Sequence, residues 1–414
     1  MTPYHYQDKI LWVESCPIPK IIETVGTPCY VYSKAKILEQ CRRYKTAFKN
    51  RPFQICYALK ANSNLAILKI LKKEGLGFDI VSMGELYRVL QIGADPARIV
   101  FSGVCKTEPE ILKALEVGIG CFNVESEEEL LRINRLAASQ GKLATIALRI
   151  NPDIASESHP YISTGLKENK FGIPYEEVIP LYQKAQQLEN IQIKGIACHI
   201  GSQITQLPPF VEAIKKVNAL ITALKQHAIL ISQIDFGGGL GVRYTDEAPP
   251  SIGAYVETIL SNTEDTFPIW IEPGRSIVAE AGLLVTRIEY LKKNKNKSFC
   301  IVDAGMNTLI RPALYAAQHA LCPIEQRDGP LINYDVVGPI CESSDLFAKH
   351  SPLAIEPKDL LGIQAVGAYG FSMCSQYNSH PRPPEVLVDG DQYHIIRTRE
   401  TFNDLFSHER VLSD

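Results

Sequence analysis

This chain carries almost no overall surplus of one charge: 43 lysines and arginines stand against 46 aspartates and glutamates in 414 residues, a formal net charge of -3. Without basic clustering there is no electrostatic footprint for nucleic acid or an anionic membrane surface. Lys292, Lys293, Lys295 and Lys297 fall in a polar stretch between apolar runs and read as a solvated turn. Long apolar runs are missing too; none approaches the roughly 20 residues of a membrane span. The opening Met1-Thr2-Pro3-Tyr4-His5-Tyr6 lacks a basic flank followed by an apolar core, so no export signal is expected there. Eleven cysteines include no CxxC pair and no zinc spacing, which argues against a metal centre. Several of them, Cys56, Cys121, Cys198 and Cys300, sit inside apolar runs and read as reduced, buried thiols. A cytoplasmic protein with neither nucleic acid nor membrane as a partner is expected.

What is present is an ordinary globular composition, 45% hydrophobic and 21% charged, over a length that suggests two domains. Short apolar runs ending at Gly, Asn or a charge occur at 54–59, 77–81, 98–101, 121–124, 144–150, 193–198, 233–236 and 269–271. Between them lie patterns of helical period, such as Leu65-Leu68-Ile70-Leu71 and Phe210-Ile214-Val217-Leu220-Ile221-Leu224. Strand and helix alternating eight times predicts a (β/α)8 barrel, although a doubly wound open sheet shares the alternation. After about residue 280 strand-like runs follow one another with little helix, at 282–290, 299–302, 334–337, 360–366, 385–388 and 393–397. The fold class expected is therefore α/β plus all-β: a TIM-like barrel over 34–280, and an antiparallel β domain, a β-sandwich or barrel, from 281–414 with 1–33. Tyr30-Val31-Tyr32 is expected to add a strand to the latter.

In a barrel of this kind chemistry belongs at the C-terminal ends of the strands. Those ends here carry Lys60, Ser82, Ser102, Asn123, Arg149, His199, the glycines from Gly237, and Glu272. Each has a plainer reading alone: Lys60 a surface lysine, His199 a core histidine, the glycine run a tight turn, Glu272 and Arg275 a loop-holding pair. Jointly they point to an active site. Lys60 offers an amine nucleophile, and partial desolvation would lower its pKa. The run Gly237-Gly238-Gly239 and the turn Glu272-Pro273-Gly274-Arg275 follow strands seven and eight, where barrels often hold phosphate. Lysine, phosphate anchor, carboxylate and histidine together suggest one cofactor, pyridoxal 5'-phosphate, with Glu272 facing its pyridine nitrogen. A barrel without this cofactor explains Lys60 and the glycines but leaves Glu272 and His199 without a task.

The motifs YALKAN at 57–62, HPYISTGLKENKFGI at 159–173, HIGSQ at 199–203, GGGLG at 237–241, EPGR at 272–275, RPALY at 311–315, GPICES at 338–343 and GAYG at 367–370 give a closer match. In this order, from about Gly26 to Phe406, the chain resembles the barrel-type pyridoxal-phosphate decarboxylases of basic amino acids, and within them the diaminopimelate decarboxylase branch. The resemblance implies that Lys60 is the Schiff-base lysine and that His199 stacks on the cofactor ring. It implies that Ser202, Gly238, Gly239 and the segment Glu272, Pro273, Gly274, Arg275 hold the cofactor. Arg275, Arg311, Tyr315, Glu342 and Tyr369 are implied to bind substrate, Tyr369 also lying by the cofactor. Cys341 is implied as the acid that protonates Cα, arriving with Glu342 from the other subunit of a homodimer. A packing cysteine is the plainer reading of Cys341. Cys105, and Met373-Cys374-Ser375-Gln376, depart from the family pattern without touching an implied role.

The residue types suit a substrate with an amino acid group at each end: two arginines for the far carboxylate, Glu342 for the far ammonium. The alternatives are a decarboxylase of another basic amino acid, such as ornithine, arginine or carboxynorspermidine, and a cofactor-carrying protein without turnover. The second would be expected to lack Cys341, Arg275 or Arg311.

Overall fold

Eight parallel strands close on one another in a ring, as shown by a computed structural model that describes residues 3–154 and 169–412. In chain order they are Phe53–Ala58, Gly77–Ile80, Ile99–Phe101, Cys121–Val124, Ala144–Asn151, Ile191–Cys198, Gln233–Asp235 and Ile269–Ile271. Each pairs with its neighbour in sequence, and the last pairs back onto the first through Ile269 with Phe53 and Ile271 with Ile55. Closure decides between the two folds that share the alternation: the sheet is a (β/α)8 barrel, not an open sheet. A short extra strand, Ile173–Pro174, pairs in parallel with Ala144–Asn151.

The strands read as continuous apolar runs because a parallel barrel buries both faces. Small residues, Cys56, Val100, Cys121, Ala147 and Ala197, pack together with Trp270 against them. The helices between are capped where their sequences allow it. The Asn64 side chain accepts from Ala66 N at the start of Leu65–Lys73, and Ser126 accepts from Glu129 N at the start of Glu127–Ser139. Ser82, one of the polar strand ends, has the same duty for Met83–Gln91: its Oγ accepts from Glu85 N at 3.2 Å.

The chain divides into two compact units, Gln40–Val242 with Ala248–Ser276, and Met1–Glu39 with Arg243–Glu247 and Ile277–Asp414. The second unit is built on a sheet in which Leu346–Leu353, Ile332–Val337, Ser298–Val302, Gly282–Lys293, Cys29–Ser33, Glu385–Asp389 and Gln392–Arg397 lie side by side. Most pairs are antiparallel; Cys29–Ser33 with Glu385–Asp389 and Ser298–Val302 with Ile332–Val337 are parallel. Leu321–Pro323 joins through Leu360–Gln364, which pairs with Gly282–Lys293. Val31, Leu283, Val285, Ile324, Val386 and Val388 form its buried core.

Three parts of this unit have no counterpart in the apolar runs. The strands Tyr4–Gln7, Ile10–Val13 and Cys16–Pro17 make a separate small sheet. Leu321–Pro323 is only three residues long. Leu346–Leu353 carries Lys349, His350, Ser351 and Pro352, which an edge strand tolerates and a central one does not. Among the described residues no helix is long and apolar enough to cross a membrane.

Candidate active site

Lys60 follows the first barrel strand on a single 3-10 turn, Leu59–Ala61, and its amine lies 2.7 Å from Asp79 Oδ2 at the second strand. The lysine side chain is 40% exposed while Asp79 is fully buried, so the amine reaches out of the barrel interior with its counter-charge beneath it. Asp79 was not among the residues singled out by sequence. The available signal was a carboxylate inside an otherwise apolar parallel strand, which must have a partner or a function.

Glu272 closes the eighth strand. Its Oε1 accepts from Asn123 Nδ2 at 3.1 Å and from Ser102 Oγ at 3.4 Å, and its backbone N donates to Gly237 O at 2.7 Å. Burial pushes the carboxyl well above the ordinary glutamate range, and the Asp235 and Asp79 carboxylates push it further. Asp235 is itself raised to about 6, mainly by burial, and its Oδ1 accepts from Gly237 N at 2.8 Å. The Asp235 carboxylate thereby favours the protonated form of Glu272. Arg275 does not turn to Glu272 as a loop-holding pair would; its guanidinium donates to Ser202 Oγ at 2.9 Å.

His199 follows the sixth strand. Gly238 N donates to its Nδ1 at 3.2 Å, which requires a lone pair on that nitrogen and leaves the proton on Nε2. Burial lowers its pKa well below the usual value, and the positive charges of Arg149 and Lys60 lower it further, so the ring is neutral.

The glycines are required by packing. Gly237 and Gly239 have φ of +65° and +111°, and a Cβ on Gly238 would stand 2.4 Å from Glu272 O. On Gly239 it would stand 2.6 Å from Gly201 O, and on Gly274 2.9 Å from Ala61 Cβ. The backbone of both turns is thereby drawn in beside His199, Gly201 and Glu272, a cradle open only to a group that approaches main chain. Arg149, the polar end of the fifth strand, is held by Glu125 at 2.7 Å, and Glu125 also accepts from Gly103 N and Gly172 N, a structural tie.

The remaining sequence-marked residues belong to the second unit. Arg311 opens the short helix Arg311–Tyr315, is 4% exposed, and donates to His319 Nε2 at 2.8 Å. Its guanidinium lies 4.3 Å from the centroid of the Tyr244 ring. Tyr315 and Tyr369 are half-buried, Tyr369 with a φ of +57° that few non-glycine residues adopt. Cys341 and Glu342 are exposed on a loop. Cys341 N donates to Asn378 Oδ1 at 3.1 Å, and the Glu342 carboxylate accepts from the hydroxyls of Tyr377 and Ser344. Asp345 folds the loop by accepting from Ile340 N and Met306 N. His319, Tyr244 and Tyr377 had no local signature; their partners are set by tertiary pairing. The motif at 159–173 lies outside the described residues except for its last five, where Phe171 packs under the Arg149 guanidinium.

Residues 34–279 match the family model described as pyridoxal-dependent decarboxylase, pyridoxal binding domain. Diaminopimelate decarboxylase of Pseudomonas aeruginosa is 50% identical over 413 residues, the full length of both chains. The crystal structure of diaminopimelate decarboxylase from Helicobacter pylori complexed with L-lysine superposes with a TM-score of 0.91 at 46% identity, covering 94% of this chain and 98% of that one. The corresponding structure from M. jannaschii, also with L-lysine, has a TM-score of 0.95 at 37% identity, covering 99% and 98%. By family model, full-length identity and fold, the chain belongs to the diaminopimelate decarboxylase family of pyridoxal-dependent decarboxylases.

Proposed function

We propose that this protein converts meso-2,6-diaminopimelate to L-lysine and carbon dioxide, the last step of lysine biosynthesis, as a pyridoxal-phosphate enzyme. The single observation that carries the substrate is 50% identity to a diaminopimelate decarboxylase with no part of either chain left over. The lysine held by the H. pylori and M. jannaschii structures is the product such a reaction leaves.

The residues fit the cofactor. A lysine amine over a buried carboxylate, a glycine cradle closed to any Cβ, a neutral imidazole and a proton-holding glutamate are the groups its aldehyde, phosphate, ring face and pyridine nitrogen call for. When bound, the cofactor supplies an electron sink conjugated to Cα of the substrate, which allows the Cα carboxylate to leave as carbon dioxide. Lys60 would hold the cofactor through its amine. Ser202, Gly238, Gly239 and the backbone of Glu272, Pro273, Gly274 and Arg275 would hold the phosphate, with Tyr369 beside the cofactor. Glu272, positioned by Asn123 and Ser102, would face the pyridine nitrogen, and the neutral His199 would offer a ring face rather than a charge.

At the far end of the substrate Arg275 and Arg311 take the carboxylate, Glu342 the ammonium, and Tyr315 and Tyr369 further polar contacts. Cys341 Sγ delivers the proton that replaces the lost carboxyl at Cα. Cys341 and Glu342 come from the second subunit of a cytoplasmic homodimer. In this reading the cofactor is held by 34–280, and 1–33 with 281–414 form the β domain.

Purified protein with pyridoxal phosphate should give a kcat/KM for diaminopimelate at least about a hundredfold above that for ornithine or arginine, a difference of about 2.7 kcal/mol. Equal or faster turnover of either diamine precursor overturns the substrate.

A further inference from the structure

Arg311 is oriented by a neutral base. Its Nη1 lies 2.8 Å from His319 Nε2, and His319 Nδ1 lies 2.8 Å from the carbonyl oxygen of Gln364. A guanidinium can only donate and a carbonyl can only accept, so one imidazole tautomer satisfies both contacts: Nε2 with its lone pair toward Arg311, Nδ1–H toward Gln364. Both residues are 4% exposed, so neither contact is shared freely with water. Tyr244, 5% exposed, packs its ring face under the guanidinium at 4.3 Å and meets the imidazole edge-on at 4.9 Å and 75°. The segment is fixed in turn by backbone: Ala320 N donates to Tyr244 O, and Gln364 N donates to Ala320 O. The imidazole is thus held at its two nitrogens and against the Tyr244 ring.

We propose that His319 is a positioning residue for substrate recognition, holding the Arg311 guanidinium in the orientation that binds the distal carboxylate of diaminopimelate without itself neutralising the arginine. The proposal rests on the assignment of Arg311 to that carboxylate. A carboxylate in the place of His319 would fix the fork equally well but cancel its charge, as Glu125 does for Arg149 at 2.7 Å. The imidazole lone pair fixes direction without adding a negative charge of its own. Tyr244 acts alike, since the face of its ring attracts the cation without taking its hydrogen-bonding edge. Substrates lacking a distal carboxylate gain nothing from this clamp, so His319 contributes to selectivity as well as affinity.

The test uses holoenzyme and four variants: Arg311→Met, His319→Phe, His319→Gln and the double Arg311→Met/His319→Phe. KM and kcat for diaminopimelate are measured with the visible absorbance of bound cofactor and the melting temperature as checks of integrity. His319→Phe keeps a ring against Tyr244 but loses both nitrogens; KM should rise about tenfold or more with kcat within about threefold. His319→Gln can accept from Arg311 and donate to Gln364, and should stay within about threefold of the parent. The double variant should be no worse than Arg311→Met, because the histidine acts only through the arginine. If His319→Phe does not fold, His319→Asn, too short to reach both partners, takes its place with the same expectation. A large KM effect in Arg311→Met with an unchanged KM in the histidine variant overturns the positioning role alone. A double variant worse than Arg311→Met by the full His319→Phe factor also overturns it. An unchanged KM in Arg311→Met removes the arginine from recognition, and this proposal with it.

Discussion

Asn123 Nδ2 lies 3.1 Å from both Glu272 Oε1 and Ser102 Oγ, so the ends of the third and fourth barrel strands position the carboxyl at the end of the eighth. The bond persists whether Glu272 is ionised or carries its proton on the other oxygen, and it fixes which oxygen is turned away from the strand ends. Replacing Asn123 by Ala should lower kcat about tenfold, about 1.4 kcal/mol, and weaken cofactor binding. Asn123→Asp should be worse, since it adds a carboxylate to a site where Asp235 and Asp79 already raise Glu272. Turnover and cofactor titration of the two variants check this; equal effects would remove the electrostatic part of the explanation.

Gly238 is expected to tolerate no side chain. A Cβ there would stand 2.4 Å from a backbone carbonyl, which cannot swing aside as a flexible side chain can. Gly238→Ala should cost about 1–3 kcal/mol of stability and at least a tenfold loss of cofactor affinity. Gly84 makes the control: it lies in the helix Met83–Gln91, where an added Cβ has nothing nearer than Ser82 Oγ at 3.8 Å, so Gly84→Ala should be neutral or stabilising. Similar melting temperatures for the two variants would refute the close-packed cradle.

Lys60 and Cys341 should separate cleanly by spectroscopy. Lys60→Ala removes the visible absorbance of lysine-bound cofactor, whereas Cys341→Ala keeps it while turnover falls by about a hundredfold or more. Mixing the two inactive proteins should restore part of the activity, because one of the two sites in a mixed dimer then has both residues intact. No recovery after verified subunit exchange would place Cys341 in the same subunit as the Lys60 it serves.

The side chain of Glu85 accepts from Val81 N at 2.8 Å, and burial raises its pKa to about 7, with Asp79 adding to the rise and Val81 N–H and Lys60 opposing it. The folded protein therefore holds this proton more tightly than the unfolded chain. Its contribution is fully present below the ordinary glutamate value near 4.5 and is lost as pH rises from there through about 7. Glu85→Gln cannot ionise, so its melting temperature relative to the parent should rise by a few degrees between pH 5 and pH 8 in cofactor-free protein. A difference between the two proteins that does not change with pH would show that Glu85 does not titrate in this range.

The barrel was legible because a parallel strand buried on both faces leaves an unbroken apolar run, and 121–124 and 269–271 coincide with the strands Cys121–Val124 and Ile269–Ile271. The polar residue that ends each run was legible for the same reason: it is where burial stops. Asp79 and Asp235 were not, because each lies inside its run and is explained only by partners, Lys60 and Gly237, that other elements supply. The strand Leu346–Leu353 escaped because an edge strand needs no alternation, and Ser82 shows that a strand end is also the place for the next helix cap. His319 lies eight residues beyond Arg311, past a helix that ends at Ala316 with φ of +50°, a turn that no spacing rule anticipates.

The most direct measurement is the product balance of the holoenzyme with meso-2,6-diaminopimelate. One L-lysine and one carbon dioxide should form for each diaminopimelate consumed, and Lys60→Ala should form neither. Unconsumed diaminopimelate in the presence of bound pyridoxal phosphate, with ornithine or arginine decarboxylated instead, would contradict the account.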